Sequence, residues 1–433
     1  MYICSLIKNN NMEKEILSTI MFDQKEVFCK KSGLIDRNID LSAYLSTSQI
    51  VVISGVRRCG KSTLLLLIKE KLNLQESEFC YFNFDDERVI GDVSILNEVY
   101  QLHLEQYRTE PIFFFDEIQL VPNWEKFVTR MYEQGRKIFV TGSNAQLLSS
   151  EISSSLTGRN KVLELYPFSF VEYLDYKKRS YSTNSLTTKQ KSLLINDLND
   201  YMEMGGFPIV IKEQDATIIN SWFQDILYRD IVSRYRLSQV NELKQMALYL
   251  ISNIGKPFSY NTLKLISGIK SLSSIKDYLD YFERSYMLFY LKKFDYSIKK
   301  QIANSKKAYT IDNLVANRMG FRFSENSGRL LENMVFIELK RRGKEIYYHA
   351  HKGECDFVIK DGLDLTEAIQ VVYNLNHDTL KRELFGLAEA MKTFDIPKGR
   401  IIIYQECKIP IELPENVEII PVWKWLMNDG MAD

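Results

Sequence analysis

Residues 50–68 read Ile50-Val51-Val52-Ile53-Ser54-Gly55-Val56-Arg57-Arg58-Cys59-Gly60-Lys61-Ser62-Thr63-Leu64-Leu65-Leu66-Leu67-Ile68. A β-branched apolar run passes through Gly55-x-x-x-x-Gly60-Lys61-Ser62 into a leucine-rich run. The first run predicts a buried strand and the second a helix, so the loop joins a strand end to a helix start. Two glycines let such a backbone curl until successive N–H groups point at one anion. A helix starting near Lys61 adds the positive end of its dipole. Lys61 has the reach for the β- and γ-phosphates, and the Ser62 hydroxyl is placed to ligate Mg²⁺. Gly55, Val56, Arg57, Arg58, Cys59, Gly60, Lys61, Ser62 and Thr63 are the expected nucleotide-binding residues.

Downstream, Ile112-Phe113-Phe114-Phe115-Asp116-Glu117 is an apolar strand ending in two carboxylates. A buried strand delivers Asp116 to the C-terminal edge of an open α/β sheet, where nucleotide sites lie. There Asp116 suits the Mg²⁺ shell, and Glu117 is placed to deprotonate a water that attacks the γ-phosphate. Lys137-Ile138-Phe139-Val140-Thr141-Gly142-Ser143-Asn144 predicts another strand ending in small polar residues. Ser143 or Asn144 suits a hydrogen bond to the γ-phosphate or the attacking water; a turn or helix cap uses the same residues. Arg159 precedes the apolar run Val162 to Leu165 and is either an arginine finger or a surface arginine.

Together these stretches resemble the prokaryotic AAA+ ATPases, in particular ATP-binding proteins in which an AAA domain precedes a C-terminal domain of unknown function. Leu165-Tyr166-Pro167-Phe168-Ser169-Phe170-Val171-Glu172-Tyr173, Tyr201-x-x-x-Gly205-Gly206-Phe207-Pro208 and Tyr228-Arg229-Asp230-Ile231-Val232 fit the same group. The resemblance covers nearly the whole chain. It implies an ATPase that takes ATP and Mg²⁺. Cys59 stands where Val, Ala or Thr is usual, at a variable loop position; a helix N-terminus there would lower a thiol pKa.

The chain has 433 residues, 45% of them hydrophobic, enough for two to four domains with sizeable cores. Lys+Arg and Asp+Glu both total 56. Bulk charge therefore gives no argument for nucleic acid, and any such surface must be local. The six cysteines are scattered without a Cys-x-x-Cys pair. Reduced thiols in a cytoplasmic protein are the simplest reading. His349, His351 and Cys355 read as strand positions and not as a zinc site. We expect no signal peptide and no membrane span. Met12, after Asn9-Asn10-Asn11, is a candidate start.

The fold class expected is α/β: a P-loop NTPase three-layer sandwich, then a helical and winged-helix region, then an αβββαβ nuclease-like domain. Residues 12–48 read as a helical lead-in. Strands are expected at 50–54, 79–84, 112–116, 137–141 and 162–165. The expected boundaries are 1–165 for the AAA-type domain, 166–240 for a helical lid or linker, 241–318 for a winged helix-turn-helix and 319–433 for the nuclease-like part. In the winged helix, Ser271 to Ser285 is the candidate recognition helix. Lys292, Lys293, Lys299, Lys300, Lys306 and Lys307 on or beside the wing could contact phosphates, or belong to a solvated hairpin of a protein-binding module.

Residues 325–433, within that last part, resemble the PD-(D/E)XK nuclease core at Glu332, Asp356 and Gln370-Val371-Val372. They depart from it where the chemistry is done. Gln370 replaces a carboxylate and Val372 replaces the lysine that stabilises charge or activates water. Lys381, on the following helix, is a candidate migrated lysine. A non-catalytic fold used for binding is the expectation.

The leading expectation for function is thus ATP hydrolysis coupled to rearrangement of C-terminal domains that bind DNA or another protein, with oligomer formation open. The alternatives are a slow nucleotide-dependent switch and an Mg²⁺-dependent nuclease.

Overall fold

The computed structural model describes residues 2–89, 93–143, 156, 158–182, 185–321, 327–406 and 413–428, with side chains from residue 14 onward. It divides into two compact units, Met1–Leu165 and Tyr166–Asp433.

The first unit is built on five parallel strands: β1 (Ile50–Gly55), β2 (Phe79–Asn83), β3 (Ile112–Asp116), β4 (Ile138–Gly142) and β5 (Asn160–Leu165). Their order is β2-β3-β4-β1-β5, so the two strands with the phosphate motifs flank β4. All five match the expected strands to within two residues. β1 and β4 are buried along their whole length, which is why they read as unbroken apolar runs and not as alternating ones. Ile50, Val52, Phe113, Phe115, Ile138 and Val140 share one core with Trp124, Phe127 and Val128. The opposite-parity residues, such as Phe114 stacked on Phe139 with ring centroids 5.1 Å apart, face the other side. Helix α1 spans Tyr2–Cys29 and packs along edge strand β2. The lead-in is therefore not helical throughout: the long helix stops at Cys29, and a single turn at Ser42–Leu45 follows before β1. Helix α2 (Lys61–Lys71) follows the loop and packs on β1 and β4. Helices α3 (Ser94–Tyr107) and α4 (Trp124–Glu133) belong to the same unit.

The second unit opens with helices, of which α5 (Thr188–Met204) is the longest. Then come α6 (Val240–Ser252), β6 (Pro257–Phe258), α7 (Tyr260–Ser267), α8 (Leu272–Arg284), β7 (Leu288–Lys293) and β8 (Lys306–Thr310). Ser259 and Ser271 cap α7 and α8 through their hydroxyls. Next are α9 (Ser327–Arg341), β9 (Glu345–Ala350), β10 (Glu354–Asp361), β11 (Asp364–Val372), α10 (His377–Phe394), β12 (Lys398–Ile403) and β13 (Val417–Pro421). From α9 to β12 this is the expected αβββαβ order.

One expectation is corrected. The wing strands and the C-terminal strands, predicted to lie in separate domains, share a single eight-stranded sheet of order β13-β12-β11-β10-β9-β7-β8-β6. The join is parallel pairing of β7 with β9, through Lys292–Tyr347 and Lys293–Tyr348. An open wing edge is covered in this way by the next segment of the same chain.

No helix among the described residues is long and apolar enough to cross a membrane.

Candidate functional site

Register places the site. β1 and β3 run parallel on either side of β4, so Gly55 and Asp116 emerge at the same sheet edge. Asp116 has the same parity as Phe114, which points it toward the side of the sheet where α2 begins with Lys61 and Ser62.

The loop is shaped by its glycines. A Cβ on Gly55 would lie 2.2 Å from the Leu165 carbonyl oxygen on neighbouring β5, so only glycine lets the two strands end side by side. Gly60 has φ +101° and turns the chain into α2. Arg37 Nη1 donates to the Cys59 carbonyl at 3.1 Å and braces the loop from the preceding segment. Cys59 itself is fully buried, and burial pushes its thiol up despite nearby Lys61 and Arg37. That removes the case for a reactive thiolate.

Four side chains converge. Lys61 Nζ is buried, donates to the Gly55 and Val56 carbonyls at 3.1 Å each, and stands 3.6 Å from Glu117 Oε1. Asp116 is buried and accepts hydrogen bonds from the hydroxyls of Ser62 and Thr141, and from Tyr81 at 3.2 Å. Burial, then the charge of Glu117, raise its pKa; the Ser62 and Thr141 hydroxyls and Lys61 oppose the rise. Glu117 goes the other way. Burial would raise its pKa, but Lys61, the Gln119 amide, Arg57 and Ser143 outweigh it and hold the carboxyl below its usual range. Adjacent carboxyls with opposed shifts are suited to separate chemical tasks. Glu117 also sits at φ +53°, a left-handed conformation that costs a residue with a side chain on the order of 1–3 kcal/mol. The hydrogen bond from its N–H to Thr141 Oγ1, at 3.0 Å, helps hold that turn.

Ser143 reaches this group, within hydrogen-bonding distance of Glu117 and 3.5 Å from Gln119 Nε2. Asn144 lies outside the described residues. Arg159 is not brought to the loop. It precedes β5, at the sheet edge opposite the loop, and pairs with Glu133 at 3.2 Å. An arginine-finger role on its own subunit's nucleotide is therefore ruled out by strand direction. Arg37, Tyr81 and Thr141 carried no expectation. Tyr81 and Thr141 share the parity of Asp116, a signal that needs the strand order to be read; nothing in the sequence marks Arg37.

A cleft of about 270 Å³ opens beside this group, lined by Ser62, Tyr81, Asn83 and Asp116 from the sheet edge and by Phe28 and Lys31. A carboxylate and a hydroxyl side by side are hard oxygen donors that suit Mg²⁺, and the curled loop suits a phosphate chain.

The chain matches the family model described as "AAA domain" over residues 47–174, which includes Lys61, Ser62, Asp116 and Glu117 but not Arg37, Phe28 or Lys31. It is 36% identical to the uncharacterized protein MJ1544 of Methanocaldococcus jannaschii, with 96% of each chain covered. It belongs to the prokaryotic AAA+ P-loop ATPases. An uncharacterized protein of Haemophilus influenzae is 30% identical to this AAA+ chain over 90% of it and 96% of the relative. Residues 195–326 match a domain of unknown function (DUF8612). Among solved structures, the Thermotoga maritima RuvB Holliday junction branch migration motor is similar over 60% of this AAA+ chain and 93% of its own, with 16% identity and a TM-score of 0.30.

In the second unit, Glu332, Asp356 and Gln370 do come together, but the lysine among them is neither at position 372 nor Lys381, which is exposed. It is Lys307, from wing strand β8. Its Nζ lies 3.1 Å from Glu332, 2.7 Å from Glu354 and 3.2 Å from Asp356, and its side chain is 1% exposed. Lys307 is thus withdrawn from the expected phosphate-contacting set. Lys306 is half-buried and bonded to the Tyr260 hydroxyl. His349 and His351 both face Glu389, while the buried Cys355 thiol donates to backbone carbonyls.

Proposed function

We propose that this AAA+ chain binds ATP with Mg²⁺ at the loop from Gly55 to Thr63 and hydrolyses it to ADP and phosphate. The observation that carries the reading is the convergence of Lys61, Ser62, Asp116 and Glu117 at one sheet edge. In this reading the loop N–H groups cradle the phosphates, and Lys61 turns from the Gly55 and Val56 carbonyls to the outer phosphate oxygens. Ser62 and Asp116 would hold the metal, which would supply charge neutralisation to the phosphates. Glu117, kept ionised by Lys61, accepts a proton from a water as that water attacks the γ-phosphorus and the bond to the ADP oxygen breaks. Tyr81 and Thr141 fix the Asp116 carboxylate, and Ser143 orients Glu117.

The output is a change in how residues 166–433 engage a partner, and the surface favours a protein over DNA. On the candidate recognition helix α8, Lys276 and Arg284 are outnumbered by Asp277, Asp280 and Glu283. The region also exposes large apolar side chains, with Leu265 at 85%, Tyr296 at 77% and Ile298 at 72%.

The test is ATP turnover by the purified chain and its Lys61→Ala variant. Turnover absent from the variant supports the reading; equal turnover in both rejects it. Turnover unchanged by added duplex DNA agrees with a protein partner, and strong stimulation by DNA rejects that part.

A further inference from the structure

The Lys307 ammonium has three N–H donors, and three carboxylates from two elements meet it: Glu332 on α9, and Glu354 and Asp356 on β10. Further hydrogen bonds tie the cluster to its surroundings. Asp356 Oδ2 accepts the Val371 N–H at 3.0 Å. Glu332 Oε1 accepts the Tyr309 hydroxyl at 2.6 Å. Gln370 bridges two opposite needs, its Oε1 accepting the Asp356 N–H at 3.2 Å while its Nε2 donates to Glu383. A glutamate at 370 could accept the first bond but would face Glu383 with a second negative charge. The amide at 370 and the lysine at 307 are thus parts of one arrangement. The backbone makes room for it, since a Cβ on Gly255 would lie 2.8 Å from Glu332 Oε2.

We propose that Lys307 is the resident cation of this cluster: with the ammonium in place no group of carboxylates among the described residues is disposed to hold a metal ion, and only its removal opens the cluster to one. Its nitrogen–oxygen distances of 2.7–3.2 Å centre the charge among the three carboxylates, whereas Mg²⁺ or Ca²⁺ would sit at roughly 2.0–2.6 Å from the same oxygens. A metal could enter only by displacing the ammonium. β8 is paired on both edges, to β7 and β6, so its backbone holds Lys307 in place. Burial tends to strip the Lys307 proton, but Tyr309 and the three carboxylates outweigh that and keep it charged. The nuclease-like frame is then an internal ion lock. It fastens wing strand β8 to α9 and β10, so the wing and the C-terminal strands are held as one body, and it leaves no metal-dependent cleavage site.

The test is Mn²⁺ titration, by calorimetry, of the nucleotide-free full chain and its variants, with folding checked by circular dichroism. Wild type and Asp356→Asn are expected to bind the same number of Mn²⁺ ions. Lys307→Ala is expected to bind one more per chain, and Lys307→Ala/Asp356→Asn to lose it. One Mn²⁺ more in wild type than in Asp356→Asn overturns the proposal, as does a folded Lys307→Ala that gains none. Should Lys307→Ala not fold, the comparison of wild type with the near-isosteric Asp356→Asn still decides. Mg²⁺-dependent DNA cleavage by wild type that is lost in Asp356→Asn also overturns it.

Discussion

Thr141 serves both acidic residues of the site at once: its hydroxyl donates to Asp116 Oδ1 and accepts the Glu117 backbone N–H at 3.0 Å. One β-branched side chain on β4 thus fixes the carboxylate assigned to the metal and the backbone turn of the residue assigned to the water. Valine keeps the shape and removes both bonds. Leaving a buried acceptor and donor unpaired costs about 1–3 kcal/mol each. Thr141→Val is expected to lower the melting temperature of the first unit and to cut ATP turnover at least tenfold, read by calorimetric unfolding and phosphate release.

Gly205 and Gly206 carry a packing constraint in the second unit. Gly206 N–H donates to Asp312 Oδ2 at 2.7 Å. A Cβ on Gly205, at φ +70°, would fall 1.7 Å from Asp312 Oδ1, and one on Gly206 would fall 2.2 Å from the Phe168 carbonyl oxygen. Gly205→Ala and Gly206→Ala should each destabilise the second unit by more than about 2 kcal/mol. Denaturant unfolding followed by tryptophan fluorescence measures this.

His103 is fully buried on α3, and burial, with the charge of Lys25, lowers its pKa to about 4 from 6.5. Its folded pKa is depressed, so the neutral ring contributes stability that is complete above pH 6.5. That contribution is lost as pH falls through the folded value near 4. The loss between pH 7 and pH 4 approaches about 3 kcal/mol for a shift of this size. Wild type should therefore lose stability over that range more steeply than His103→Gln, as seen in unfolding curves at successive pH values.

Arg159 pairs with Glu133 at the sheet edge opposite the loop. Arg159→Ala should leave the affinity of the dilute chain for a fluorescent ATP analogue within twofold of wild type. A loss of ten-fold or more would place the arginine at its own subunit's nucleotide.

What the sequence disclosed follows distance along the chain. Ile50 to Ile68 and Ile112 to Glu117 are local patterns, and apolar runs ending in polar residues mark buried parallel strands without any tertiary knowledge. Tyr81, Thr141 and Arg37 act on residues more than 20 positions away, through strand order and loop packing that no local pattern encodes. The same reason hid Lys307, which meets Asp356 across 49 positions. The departure at Val372 was legible, but not the residue that answers it. The shared sheet rests on two pairs between β7 and β9, which an αβββαβ pattern alone does not imply.

Glu117 is proposed to activate the water while Lys61, Ser62 and Asp116 hold the nucleotide and its metal. Single-turnover hydrolysis of ATP by Glu117→Gln, beside its ATP affinity, tests it most directly. Affinity within a fewfold of wild type is expected, with hydrolysis slower by at least 100-fold, in the range general-base removal produces. Hydrolysis by Glu117→Gln at the wild-type rate would contradict it.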